Sequence, residues 1–233
     1  MTDLSHNELS IRRYRQHAAG YDASARRTMP LRLRTIALLD LKPGDVVLDV
    51  GAGTGLSYAP LLSQVGPGGR VLAFEQSPDM FELASERAAA AAWPNLWHVC
   101  ASAEAVELPQ PADALLFNYV HDITRTPQAI ANILRFAKPG ARVAMAGMKY
   151  FPWWTGPLNL LAWLKNRPYN AKAAELWAPW DIVAGHCSDF RLASTQAGMG
   201  YLARGRIKTS AARPSVVNSA ARLARASGRV HGT

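Results

Sequence analysis

The chain has 233 residues, of which 49% are hydrophobic, 18% charged and 9% aromatic, a profile that excludes a disordered or collagen-like chain and fits one globular domain with a core of its own. No apolar run reaches the ~18 to 20 residues a membrane span needs. Met1 to Ser10 lacks the build of a signal peptide, so a cytoplasmic protein is expected. Net charge is +9, but the segment from Phe190 onward holds eight Lys or Arg and no acid. The basic balance thus describes mostly a tail, and any nucleic-acid contact is expected only there. Cys100 and Cys187 form neither a disulfide framework nor a zinc spacing and read as buried apolar residues, and no metal site is expected.

In chain order, residues 7 to 40 carry arginines and apolar positions at helical spacing, interrupted near Met29-Pro30, and read as two helices. A turn at Lys42 to Asp45 leads into a strand, Val46 to Val50, followed by a helix from Leu56 to Val65. Arg70 to Glu75 is a second strand. Ser77-Pro78 opens an alanine-rich helix to Ala92, with serine as N-cap and proline at the first position. Leu96 to Ala101 and Asp113 to Tyr119 are the next strands. A helix over Gln128 to Lys138, a Pro139-Gly140 turn and a strand from Arg142 to Met148 complete the alternation. Continuous apolar strands alternating with helices predict an α/β doubly wound, mostly parallel sheet of about seven strands.

The texture changes after Tyr150. Phe151 to Trp180 holds five of the seven tryptophans, with a helix expected from Leu158 to Asn166. Phe190 to Gln196 and Tyr201 to Lys208 read as a closing antiparallel hairpin. The expected organisation is one domain over 1–208: N-terminal helices at 7–40, a core at 45–150, a tryptophan-rich substrate cap at 151–188 and the hairpin at 190–208. A basic, flexible tail fills 209–233.

The segment that carries chemistry is Val46 to Gly55. A strand ending in Asp49 and Val50, then Gly51, Gly53 and Gly55 at alternate positions, lets backbone approach a ligand at the carboxyl edge of a sheet. A dinucleotide fingerprint needs glycine at the sixth position, which here is Leu56. The spacing suits a cofactor with an amino-acid moiety and no pyrophosphate, and Asp49 can hold a water network or an ammonium group.

These residues resemble the first motif of class I S-adenosylmethionine-dependent methyltransferases of the small-molecule type, near the ubiquinone and menaquinone biosynthesis enzymes. The resemblance covers roughly residues 10 to 150. It implies a Rossmann-like fold and S-adenosyl-L-methionine as cofactor. Tyr14 to Tyr21 resembles the helix element that folds over the cofactor, which places Tyr14 and Tyr21 there. Glu75 stands where a carboxylate accepts the two ribose hydroxyls, with Gln76 beside it. Ala101 to Pro109 is similar to the adenine block, which brings in Ser102 and Ala103. Ser102 departs from the usual Asp and accepts the adenine amino group more weakly. Asn118 and His121-Asp122 correspond to the motif around the methionine moiety, and Lys138-Pro139-Gly140 to a further block.

Methyl transfer requires an aligned acceptor and, where the acceptor must lose a proton, a base. His121, just past a strand end, is the first candidate for that base; the alternative is that it packs or caps the loop with Asp122. His98, inside a strand, reads as structural. Tyr150, Trp153 and Trp154 are the candidate acceptor contacts, since pocket walls are mainly apolar. Leu158 to Arg167 is also fit to rest on a membrane surface, its basic end toward headgroups. The expected function is methylation of a hydrophobic or aromatic small molecule, whether quinone-like, lipid or secondary metabolite. Two other readings stand beside it: an NAD(P)-dependent reductase, and a noncatalytic cofactor-binding protein of the same fold. Leu56 and the lack of a Tyr-x-x-x-Lys motif speak against the reductase.

Overall fold

The computed structural model describes residues 28–151, 159 and 176–209. Seven strands form one sheet in the order β3-β2-β1-β4-β5-β7-β6. They are β1 (Val46–Val50), β2 (Arg70–Glu75), β3 (Leu96–Cys100), β4 (Ala112–Asn118), β5 (Ala137–Met148), β6 (Cys187–Thr195) and β7 (Gly200–Ile207). The first five are mutually parallel. β7 runs antiparallel to both β5 and β6. The doubly wound sheet with a closing hairpin is therefore as expected, and the hairpin strands begin three residues earlier at β6 and one earlier at β7.

Helices α1 (Met29–Ala37), α2 (Tyr58–Val65), α3 (Pro78–Ala91), α4 (His121–Thr124), α5 (Pro127–Arg135) and α6 (Asp181–Gly185) connect these strands. Two apolar clusters, one on each face of the sheet, make the core. One packs Ile36, Leu39, Tyr58 and Leu61 on Val47, Val71 and Leu116; the other packs Ile130 and Ile133 on Leu48, Leu115 and Val143. Alternate residues of β1 point to opposite clusters. That is why Val47 and Leu48 are both fully buried and the strand reads as an unbroken apolar run.

Several local expectations change. Lys138, Pro139 and Gly140 lie within β5, not in a turn before it: Ala137 pairs with Ala112, the register then shifts, and Arg142 pairs with Ala114. Gly140, at φ +76°, absorbs the irregularity that proline and glycine announce in sequence. The helix after the glycine motif starts at Tyr58 instead of Leu56. Ser77 precedes Pro78 at the first helical position as expected, but its hydroxyl makes no cap bond; its N–H donates instead to Glu75 Oε1 at 2.8 Å. Cys187 is buried, whereas Cys100, at the end of edge strand β3, is exposed. Residues 176–188, assigned above to a substrate cap, pack on the main domain. Val183 belongs to the core, and the ring of Trp180 lies 4.9 Å from that of Tyr201. The N-terminal helix before Met29, the helix from Leu158 to Asn166 except for helical Asn159, and the tail from Ser210 lie outside the described residues.

Candidate active site

The functional cleft forms where β1, β2 and β4 end. Right after β1 the chain turns through Gly51 (φ +60°), Gly53 (φ +59°) and Gly55 (φ +76°). Space as well as conformation demands glycine at two of them. A Cβ on Gly51 would lie 2.7 Å from Val120 Cγ1, and one on Gly55 2.6 Å from Tyr58 Cε2. The loop is thus pressed against the turn after β4 on one side and against α2 on the other, leaving bare backbone facing the cleft.

Glu75, at the end of β2, locks this loop. Its Oε2 accepts the Gly53 N–H at 2.9 Å and its Oε1 the Ser77 N–H at 2.8 Å. A carboxylate has about four lone-pair positions, so capacity remains for a hydroxyl donor in the cleft. Burial pushes the Glu75 pKa up to about 7 even against backbone N–H bonds from Ser77, Gly53 and Gln76. Asp49 is 1% exposed, and its Oδ2 has no hydrogen-bond partner. Burial raises its pKa to about 7 as well, opposed by the positive charge of Arg32.

The cleft is lined by Gly51, Gly53, Glu75, Gln76 and Asn118 among the residues singled out from sequence. It includes about 450 Å³ of space, part of it open to solvent. Asn118 is 5% exposed with both amide ends unpartnered, a costly arrangement unless a ligand completes it. Gln76 Nε2 donates to Asp122 Oδ2 at 3.3 Å across the mouth.

Other expected residues stand elsewhere. Gly55 and Asp49 support the loop from behind. Ala103 is buried in the main core, and its carbonyl accepts from the Asn132 amide at 3.1 Å. Ser102 and Ala103 do not line the cleft; the Ser102 carbonyl instead closes the local turn by accepting from Val106 N–H at 2.9 Å. Tyr150 packs with Leu176 and with Trp177, whose ring lies 5.0 Å away, in a satellite cluster apart from the cleft. Tyr14, Tyr21, Trp153 and Trp154 lie outside the described residues.

His121 departs most from its expected place. The ring is 6% exposed and points under the sheet edge, where Nε2 lies 2.8 Å from both the backbone N and the carbonyl O of Met148 and Gly147 leaves no room for a side chain. Burial holds its pKa below the ordinary histidine value. It does not line the cleft, so the general-base expectation meets a nitrogen already occupied by the backbone of β5. The alternative of a packing histidine agrees with this geometry. His98, likewise, sits against Phe81 with ring centroids 5.0 Å apart, in a structural setting.

Sequence reasoning missed Arg32 and Tyr119, both of which line the cleft. Tyr119 adopts φ +60° just after β4, its N–H donating to Ala146 O at 2.8 Å, a bend with no sequence signal because the residue is not glycine. Arg32 is one of several arginines in the segment 7–40, and nothing in its spacing singles it out. Only the packing of α1 onto β4 and β5 buries it.

The donor set fits S-adenosylmethionine. Glu75 presents a carboxylate that can accept ribose hydroxyls, the glycine loop gives close backbone approach without a pyrophosphate cradle, and the Asn118 amide, unpartnered among the described residues, can take a polar partner. Comparison with known proteins agrees. Residues 47–140 match the model of a family described as a methyltransferase domain. The chain is 32% identical over 140 residues to a demethylmenaquinone methyltransferase of Thermobifida fusca, covering 57% of this chain and 55% of that one. It is 31% identical over 135 residues to a protein-L-isoaspartate O-methyltransferase of Aeropyrum pernix, covering 58% and 48%. The chain thus spans about half the length of these curated relatives. In fold it is similar to a crystallised SAM-dependent methyltransferase from Aquifex aeolicus, with a TM-score of 0.55 at 21% identity, over 72% of this chain and 84% of that one. Residues 47–140 thus match a methyltransferase domain, and the sheet order is similar to that of an S-adenosylmethionine-dependent methyltransferase.

Proposed function

We propose that the protein transfers the methyl group of S-adenosylmethionine to a hydrophobic or aromatic small-molecule acceptor. The observation that carries this reading is the pairing of the Gly51–Gly53 turn with Glu75: a carboxylate anchored by backbone N–H groups of Gly53 and Ser77, beside a loop with no room for a side chain at Gly51. The quinone-related names among the relatives support a quinone-like acceptor, with lipids and secondary metabolites as the neighbouring chemistry. Contact with a membrane surface through Leu158 to Arg167 remains part of this reading.

The bound cofactor supplies a methyl group on a positively charged sulfur, which leaves as a neutral thioether when the acceptor's electron pair takes the carbon. The chain's own residues bind and orient. Glu75 and the glycine loop fix the ribose end, Asn118 and Tyr119 border the end of β4 where the acceptor enters, and apolar Val120 and Ile123 keep that mouth dry. Alignment of two reactants in a water-poor cleft supplies a large share of a displacement barrier. His121 serves as a strut between α4 and β5 in this reading, and the acceptor reaches the cleft already carrying its nucleophilic electron pair.

Calorimetry tests the cofactor. The protein should bind S-adenosylmethionine and S-adenosylhomocysteine and show negligible affinity for NADH and NADPH, the reverse preference refuting the reading. A panel of phenolic, quinol and lipid acceptors scored for release of S-adenosylhomocysteine then tests the acceptor class.

A further inference from the structure

The positive charge after Phe190 is not confined to the last residues of the chain. Arg191 lies on β6, and Arg204 and Arg206 lie on β7. Arg191 stands opposite Arg204, Arg204 opposite Ala144 of β5, and Arg206 opposite Arg142. Directly paired residues share a face of a sheet, as do residues two apart on one strand. The three arginines therefore crowd one face, the one on which Ala144 shares a cluster with Ile36 of α1. Over β4 and β5 that face is covered by α1. Over β6 and β7 all three arginines are exposed, and no acid among the described residues pairs with them. Arg142, by contrast, is neutralised by Asp45 at 2.6 Å.

Such a grouping works against stability, because like charges on facing strands repel. Charge is also sorted across the sheet: at the far end α3 packs over β2 and β3 and exposes Glu82 and Glu86. An extended anionic surface orients a molecule of this kind, attracting the hairpin and repelling α3. The neighbours of the arginines narrow the chemistry further. On their face stand Ser188, Ala193 and Leu202, while the two rings of the hairpin, Phe190 and Tyr201, pack toward the core on the opposite face. The open face thus offers no ring on which a base stacks and no amide that reads a base edge. Leu192, next to Arg191 on the edge strand, is 43% exposed. Guanidinium groups beside an exposed leucine suit phosphate headgroups over an apolar interior.

We propose that the β6–β7 end of the sheet docks on an anionic phospholipid surface, with Arg191, Arg204 and Arg206 against the headgroup phosphates. The docking face is the open hairpin, away from the cleft at the ends of β1, β2 and β4, so the cofactor loop stays free. This deepens the membrane contact of the proposed function by naming residues that make it, and the contact itself requires no methyl transfer.

Cosedimentation of the full chain with vesicles tests it, using equal parts phosphatidylglycerol and phosphatidylcholine against phosphatidylcholine alone. Wild type should bind the anionic vesicles, bind the neutral ones at least about tenfold more weakly, and lose the difference as salt approaches about 0.5 M. Arg204→Gln and Arg206→Gln should each weaken binding to the anionic vesicles about fivefold, the worth of one basic side chain near such a surface. The double variant should lose about twentyfold or more. Arg191→Glu should weaken binding more than either single variant while raising the melting temperature, a combination that a merely structural arginine does not give. S-adenosylhomocysteine affinity, measured in parallel, should stay within about twofold in every variant, showing that the fold is kept. Vesicle binding that ignores the double substitution overturns the proposal and leaves any membrane contact to another part of the chain. Equal binding to neutral vesicles overturns it too. A double variant that loses single-stranded polyuridylate but keeps the vesicles overturns it in favour of nucleic acid. Wild type that binds anionic vesicles through these arginines but not S-adenosylhomocysteine refutes the methyltransferase reading and leaves the docking face standing.

Discussion

Strands β1, β2 and β4 and strands β6 and β7 belong to one sheet but obey different constraints. The first three are parallel and covered on both faces, and nearly every residue in them is buried, including Asp49, Glu75 and Asn118 near their carboxyl ends. β6 is an antiparallel edge strand with most side chains exposed, and it places Arg191 directly opposite Arg204 of β7. Like charges facing each other across a pair of strands are destabilising. The difference teaches where the fold concentrates its precision. Tolerances are tight where backbone must meet a ligand, and loose where the sheet only needs closing.

Substitutions that break the comparison should therefore scale with distance from the parallel end. Gly55→Val should have the largest effect. A β-branched residue at φ +76° whose Cβ would meet the Tyr58 ring at 2.6 Å combines backbone strain with overpacking, together about 2 to 6 kcal/mol. Chemical denaturation should show that loss, and cofactor binding should disappear with it.

Glu75→Ala comes next. It leaves the N–H groups of Gly53 and Ser77 without acceptors and removes the ribose contact, so S-adenosylhomocysteine affinity should drop by about 1.5 to 3 kcal/mol per charged bond lost. A pH series sharpens the point. With Asp49 and Glu75 raised to about 7, both are largely protonated at pH 6, and a cationic ligand with hydroxyl donors prefers the ionised forms. Wild-type affinity should rise about tenfold or more from pH 6 to pH 8, with proton release visible when calorimetry is repeated in buffers of different ionisation enthalpy. A flat profile would place both carboxylates outside the binding step. In the ligand-free protein the sign reverses: a raised carboxyl pKa contributes stability that is present near pH 4 and lost as pH rises toward 7.

His121→Ala separates a strut from a base. Loss of the Nε2 contact with the Met148 backbone should cost about 1 to 3 kcal/mol of stability, while turnover of the folded protein stays within a few-fold of wild type. A drop of 10² or more in turnover at saturating acceptor would restore the general-base role. Because burial lowers the folded-state pKa of His121 below 6.5, the unfolded chain takes up a proton that the folded one refuses. That contribution to stability is present above pH 6.5 and lost as pH falls below it. The variant should lack this component in its stability profile.

At the other end of the sheet effects should be small and of opposite sign. Arg191→Glu turns the facing pair with Arg204 from repulsive to attractive. It should stabilise the protein by about 0.2 to 1 kcal/mol at low salt, fading as salt is added, with no change in cofactor affinity. A loss of affinity in this variant would undo the division between a ligand-building end and a closing end.

The sequence by itself determined the alternating sheet and helices, the glycine loop and the acid that ends β2. Each rests on a local pattern: unbroken apolar runs for strands buried on both faces, glycines where φ must be positive, Glu75 at a set distance along one βα unit. Contacts made across elements were a different matter. Whether Arg32 is buried depends on α1 lying over β4 and β5, and whether His121 faces the cleft or the sheet depends on Gly147, twenty-six residues away, leaving room for its ring. Neither signal resides near its residue in the chain. The placement of Ala103 likewise depends on a distant element: its carbonyl accepts from Asn132 of α5, through a hydrogen bond that spans 29 residues. Local spacing decides which residues reach the edge of the sheet, and only packing among distant elements decides which side chains turn toward the ligand.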